Sequence, residues 1–214
     1  MTHMLNPANL PPVSAIPEAL RPTLAEIMRR EGTRFEDDPD DPGGATECGI
    51  SLAFARAARL DVDGNGSIDL NDIKAVTVDL AERVIVQTFY REPGIDSLPE
   101  PVRPVLLDTA FNCGLGGAAA VVRGALIEMG VAPAAAGVLR QYGTALSAMI
   151  KAHGAVTVTD ALVRARITRY RRLATNHLAL SKYLNGWVLR ALHYASKDMR
   201  ERYDELLERY GETP

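Results

Sequence analysis

Three residues early in the chain carry oxygen functions at a spacing suited to acid–base work. Glu31, Asp40 and Thr46 are separated by eight and then five residues, inside the stretch EGTRFEDDPDDPGGATECGIS. Two carboxyl groups flanking one glycosidic bond can hydrolyse it, one protonating the leaving oxygen and the other handling a water. Glu31 in the acid's role must hold its proton near neutral pH, which calls for partial burial or nearby carboxylates. Asp40 would stay ionised to orient or deprotonate the water, and Thr46 would hold that water through its hydroxyl. Carboxyls about 6.5–9.5 Å apart give inversion, and about 5–5.5 Å a covalent intermediate. Glu36, Asp37, Asp38 and Asp41 compete with Asp40 for the partner's role. Gly43 and Gly44 allow a tight fold or a close backbone approach to a sugar.

These groups need a rigid frame. Leu20, Leu24, Ile27 and Met28 fall at helical spacing up to Arg30, and Pro17 and Pro22 suit helix first turns. Glu31-Gly32 then stands where that helix ends. Pro39, Pro42 and Gly43-Gly44 exclude regular helix over 33–47. A short irregular hairpin is expected there, the one place for strands in the chain.

With these residues in view, the stretch resembles the glycoside hydrolase 108 family, peptidoglycan muramidases of phages and bacteria. The matching parts read Glu31-Gly32, Asp38-Pro39-Asp40-Asp41-Pro42-Gly43-Gly44-Ala45-Thr46 and Gly49-Ile50-Ser51. Thr33 stands where the family has a second Gly, and Glu47-Cys48 precede the Gly-Ile step. The Glu–Asp–Thr spacing is also similar to the triad of phage-type lysozymes. The resemblance implies cleavage of the β-1,4 bond between N-acetylmuramic acid and N-acetylglucosamine. It also implies a mainly α, lysozyme-like helical bundle, with the hairpin after the first helix. The segment Tyr183-Leu-Asn-Gly186-Trp187-Val-Leu-Arg190 extends it, because the family's C-terminal region has Gly-Trp-x-x-Arg and is taken to bind peptidoglycan.

A second signal lies at 61–72. Asp61, Asp63, Asn65, Asp69 and Asp72 occupy positions 1, 3, 5, 9 and 12 of a twelve-residue loop, with Gly66 at 6, Ile68 at 8, and Ser67 completing the candidate set. This is the EF-hand calcium-loop pattern with Asp in place of Glu at the last position. Hard oxygen ligands at this spacing suit Ca²⁺ in a structural role, as an insertion between two helices. No cofactor is expected for catalysis, because the paired acids lie elsewhere. The bland alternative is a turn of Asp, Asn and Gly capping two helices without metal.

The remaining chain reads as helices. Ser51 caps Leu52–Leu60, and Thr77 caps a helix carrying Leu80, Val84, Ile85 and Phe89. Pro101 and Pro104 start another, on which Asp108 and Asn112 share a face. Asn112, and less so Asp108, is a candidate for substrate contact. Gly114-Leu-Gly-Gly117 is no dinucleotide fingerprint, since no βαβ pattern surrounds it. Residues 118–152 and 160–176 form helices, and a last long helix runs from about Gly186 to Arg209. Trp187 could stack on a sugar or fill the core. The organisation expected is a tail at 1–16, a catalytic region at 17–117 and a helical C-terminal region at 118–214.

Composition fits this reading. The chain has 214 residues, 47% hydrophobic and 24% charged, with a net charge of −3. Residues 151–200 hold ten Lys/Arg against two acids, +8 in all. That face could meet an anionic polymer such as cell wall or nucleic acid, or be a solvated helix face paired internally with the acidic stretch 31–72; peptidoglycan and no nucleic acid is the partner expected. Two cysteines make no disulfide framework. No membrane span and no signal peptide are expected from the apolar pattern. The enzyme would then be made in the cytoplasm, reach the wall in the periplasm or beyond, and need a holin or another export route. The competing readings are a lytic transglycosylase, a non-catalytic wall-binding or secretion-assisting protein, and a calcium sensor.

Overall fold

The computed structural model describes residues 5–37, 44–133 and 137–210, the last five of these by backbone alone. The chain is mainly α-helical with one short antiparallel hairpin after the first helix. It divides into two compact units, Met1–Arg91 and Glu92–Pro214.

In the first unit, α1 (Arg21–Glu31) carries a Pro in its first turn and buries Leu24, Ile27 and Met28 behind Leu20. Removing three such side chains from water contributes about 1.5–3 kcal/mol each. The helix stops at Gly32, whose φ of +79° turns the chain while its N–H still reaches the Met28 carbonyl. Strands β1 (Thr46–Glu47) and β2 (Ile50–Ser51) pair in the register Thr46–Ser51 and Glu47–Ile50. Cys48 (φ 51°) and Gly49 (φ 75°) both lie in the left-handed region, as a two-residue type I′ turn requires. Pro39, Pro42 and Gly43, which argue against helix, lie outside the described residues, and β2 falls just beyond the segment in which strands were expected.

Ser51 caps α2 (Leu52–Ala58) by accepting the Phe54 N–H at 3.2 Å, and Arg59 ends it two residues early with φ 51°. Beyond the loop come α3 (Leu70–Lys74) and α4 (Val78–Ile85), the latter capped by Thr77 and continued as a π-helical turn over Val86–Arg91. Residues 1–16 were read as an extended tail, yet Leu5, Leu10 and Ile16 are buried. Short 3₁₀ turns at Pro7–Asn9 and Val13–Ala15 leave carbonyls without partners in a regular ladder. Arg83 holds the segment by donating to the Pro7, Leu10 and Pro11 carbonyls at 2.8–2.9 Å, the first of which also accepts the Leu10 N–H.

In the second unit, α5 (Arg103–Glu128) carries Pro104 in its first turn and kinks at Gly114, whose φ 70° and ψ 167° are non-helical. The segment Glu100–Glu128 is long and apolar enough to span a bilayer, but 56% of its most apolar window is buried inside the protein. α6 (Gly143–His153) and α7 (Ala155–Asn176) meet at Gly154, and α7 packs along α5. Gly124 permits that approach, since a Cβ there would stand 3.3 Å from the Ala165 methyl. The last long helix expected from about Gly186 is two, α8 (Leu184–Leu192) and α9 (Lys197–Tyr210). Asp160 fixes the break by accepting the Ser196 N–H at 2.8 Å and its hydroxyl at 2.6 Å, while Ser196 Oγ caps α9 at Met199.

Candidate functional site

Glu31 is the last residue of α1 and is exposed. The helical dipole and the run Arg29-Arg30 would surround it with mixed charge, but Glu26 draws both arginines back along the helix. Arg29 donates Nε and Nη2 to Glu26 at 2.7 and 2.8 Å, and Arg30 donates Nε at 2.6 Å. Glu26 itself is only 9% exposed, so this clasp sits against the body of the unit. Gly32 then meets open space, with nothing within 4 Å of a would-be Cβ.

Thr46 lies half-buried in β1, locked by two ladders at once. It pairs with Ser51 on one side and with Glu36 on the other, exchanging N–H···O bonds with Glu36 at 2.9 and 2.8 Å. Its hydroxyl donates to the Gly44 carbonyl at 3.2 Å, and Gly44 itself has a φ of +68°. The backbone of Glu36 is therefore fixed by the strand that carries Thr46. Asp40 and Gly43 lie outside the described residues.

The loop at 61–72 gathers carboxylates. Oxygens of Asp61, Asp63 and Asp72 all lie within 4.8 Å of one another. Asp61 accepts the Gly64 and Gly66 N–H groups at 2.8 and 2.9 Å. Asp63 accepts the N–H and the amide of Asn65, whose own Oδ1 accepts the Ser67 N–H at 2.7 Å. Asp72 is fully buried and accepts the N–H groups of Val62 (2.6 Å) and Asp69 (2.8 Å). Asp69 is the N-cap of α3, with its carboxylate on the Asn71 N–H at 2.7 Å. Three carboxylates so close repel one another, and a bound cation would relieve this beyond what the backbone N–H groups already do. The donor set, all hard oxygen, fits a divalent cation such as Ca²⁺.

In the second unit, the face of α5 that holds Asp108 and Asn112 turns inward. Asp108 has no exposed surface and pairs with two arginines. Arg166 Nη1 lies 2.7 Å from Oδ2, and Arg190 Nη2 lies 2.8 Å from Oδ1. Two of the ten cations counted over 151–200 are thus core residues. Burial works against the charge of Arg166, but Asp108 first, and then Tyr170 and Cys113, outweigh it and hold its proton more firmly than usual. Arg166 Nε donates to the Tyr170 hydroxyl at 2.7 Å, and that hydroxyl donates to Asn112 Oδ1 at 2.5 Å. Burial, with Arg166 opposing and Cys113 adding, raises the Tyr170 pKa well above that of a free phenol. Asn112 is therefore oriented from behind through its oxygen.

Trp187 is half-buried between two tyrosines. Its ring centroid lies 5.3 Å from Tyr170 and 6.0 Å from Tyr183, with interplanar angles of 30° and 29°. Tyr183 is 49% exposed, and Lys182 Nζ lies 4.9 Å from its centroid. Sequence reading missed Arg166, Tyr170 and the pairing of Arg190. The signal available was weak: Arg166 and Tyr170 are four apart on one helix, and Tyr183 and Trp187 are four apart across the start of α8.

Residues 24–114 match the family described as Glycosyl hydrolase 108. The matched region is less than half of the chain. It contains Glu31, Asp40, Gly43, Gly44, Thr46, the 61–72 loop and Asn112, and excludes Trp187. The match supports glycosidase-type activity. Among solved structures, that of Brucella abortus SagA superposes with a TM-score of 0.55 at 22% identity, covering 83% of this chain and 96% of that one. This likeness is one of fold. No curated protein matches the chain.

Proposed function

We propose that the protein is a peptidoglycan hydrolase, an endolysin-like N-acetylmuramidase cleaving the β-1,4 bond between N-acetylmuramic acid and N-acetylglucosamine. The observation that carries this is the placement of Glu31 at the last residue of α1, with Thr46 on the strand that follows, inside a region matching Glycosyl hydrolase 108. Glu31 is the general acid, Asp40 keeps its charge and directs a water, and the Thr46 hydroxyl holds that water. Gly43 and Gly44 bring backbone close to the sugar. Asn112 offers its amide N–H groups, since its oxygen is occupied by Tyr170. Trp187, backed by Tyr170 and flanked by the exposed Tyr183, offers a ring for stacking on a sugar face.

The loop at 61–72 holds Ca²⁺ in an EF-hand-like manner and serves structure rather than chemistry. Asp61, Asp63 and Asp72 would supply the charged ligands, with Asn65, Ser67 and Asp69 as the remaining candidates. The bound ion would neutralise the three carboxylates and tie α2 to α3. The helical region 118–214 contributes wall binding, and the enzyme acts on the wall after export as a soluble chain.

Digestion of purified peptidoglycan by the wild type and by Glu31→Gln, with mass analysis of products, tests the proposal. The wild type should release new reducing muramic ends, and the variant should lose at least about 100-fold in rate. Anhydromuramic ends would make it a lytic transglycosylase. Absence of any cleavage, with and without calcium, would leave a non-catalytic wall-binding protein.

A further inference from the structure

Resting on the wall polymer as substrate, we propose that the groove between α5 and α7 is a separate binding site for the carboxylates of the polymer's peptide arms. The groove, of about 440 Å³, is lined by Arg123 of α5 and by Arg169 and Arg172 of α7. Its floor is small and apolar, with Gly124, Ala165 and Leu173.

These arginines differ from Arg166 and Arg190 of the same unit, which close on Asp108. Among the described residues no carboxylate comes within ion-pair distance of Arg123, Arg169 or Arg172. Glu128, the one acid in the groove wall, is already engaged by Arg164 at 2.6 Å. The Nε of Arg169 is buried with no acceptor. That Nε has no exposed surface, so a ligand in the groove meets this guanidinium through its terminal nitrogens. The guanidinium is also held in place: it lies 3.3–3.4 Å from the point where a Cβ on Gly117 would stand, so the missing side chain makes its berth.

Geometry indicates the length and class of ligand. Arg169, Arg172 and Asn176 lie along one face of α7, a span of about 10 Å at 1.5 Å per residue. That equals about three residues of extended peptide. Guanidinium forks match carboxylates in two-pronged fashion. Peptidoglycan arms place carboxylates beside alanine methyl groups within such a length, which suits cations set over an apolar floor.

The test uses the full chain as Glu31→Gln, so that nothing is turned over, with ¹⁵N detection of arginine Nε–H resonances. Three probes are titrated: the sugar-free tetrapeptide L-Ala-γ-D-Glu-meso-diaminopimelate-D-Ala, chitotetraose and inorganic phosphate. The tetrapeptide should move the Arg169 resonance saturably, and chitotetraose should leave it in place. Arg169→Lys keeps the charge but loses the fork, and should weaken tetrapeptide binding by roughly tenfold. Arg172→Gln, at an exposed position where folding is not at stake, should weaken it as well. The proposal is overturned if the tetrapeptide leaves Arg169 unmoved, if phosphate is equally effective at equal concentration, or if Arg169→Lys binds as tightly as its parent. Wall digestion by the wild type reads the enzymatic reading separately. Cleavage without tetrapeptide binding removes the groove alone, and tetrapeptide binding without cleavage removes the muramidase alone.

Discussion

Arg190 and Asp108 meet 82 positions apart in sequence, with Nε 3.0 Å and Nη2 2.8 Å from the same carboxylate oxygen. Arg166 takes the other oxygen at 2.7 Å. One fully buried acid thus bridges two nearly buried cations, joining α5, α7 and α8. The Gly-Trp-x-x-Arg segment therefore has a structural half, Arg190, beside a half-exposed aromatic one, Trp187.

Asp108→Asn removes the carboxylate charge that both guanidiniums share and leaves them facing a neutral amide in a dry site. Breaking a buried ion pair by removing one partner costs about 3–5 kcal/mol. Denaturant unfolding of the variant should show a loss of that size. A loss under about 1 kcal/mol would mean that water or Tyr170 and Asn112 already satisfy both arginines.

The 61–72 loop should report its cation through stability. Calcium that binds only the folded chain raises the melting temperature with concentration, following RT ln(1 + [L]/Kd). Excess chelator should lower the wild-type Tm relative to millimolar calcium. Asp72→Ala should abolish that difference, because Asp72 is both a cluster member and the acceptor for Val62 and Asp69. It should also destabilise the metal-free chain by about 1–3 kcal/mol through the N–H groups left without acceptors. An identical wild-type Tm in calcium and chelator would show that the loop folds on its hydrogen bonds alone.

Glu82 offers a pH signature. Burial raises its pKa; Arg21, 3.5 Å away, opposes this, and Asp79 adds to it. The folded chain then holds the Glu82 proton more tightly than the unfolded chain does. Between the ordinary carboxylate range and the raised value the folded state binds more protons, so this group's contribution to stability falls as pH rises through that window. Unfolding free energies measured across the mildly acidic range should show the decline, and Glu82→Gln should flatten it. An unchanged slope in Glu82→Gln would assign the pH dependence to other carboxylates.

Much of the fold was legible because it is written locally. Gly32 ends α1 because only glycine takes φ of +79° without strain, and Ser51 and Thr77 cap helices because their oxygens reach N–H groups three residues on. Oxygen side chains at regular steps marked the 61–72 loop, and three of them do converge. The candidate acid was legible for the same reason, as a carboxylate at a helix end followed by Gly.

What sequence could not set was the fate of side chains whose partners lie far along the chain. Asp108 and Asn112 share a helix face, which spacing foresaw, but only packing of α5 against α7 turned that face onto Arg166, Tyr170 and Arg190. The +8 segment read either as a face for an anionic polymer or as a solvated face with internal pairing; tertiary structure sorted it into arginines that pair with a buried acid and arginines left lining a groove. The helix expected from Gly186 onward is two, and Asp160, 36 residues away, accepts the Ser196 N–H and hydroxyl at the break. Local rules fix where a helix can begin and end; burial and pairing across tens of residues decide which of its charges meet water, which meet each other, and which are left for a ligand.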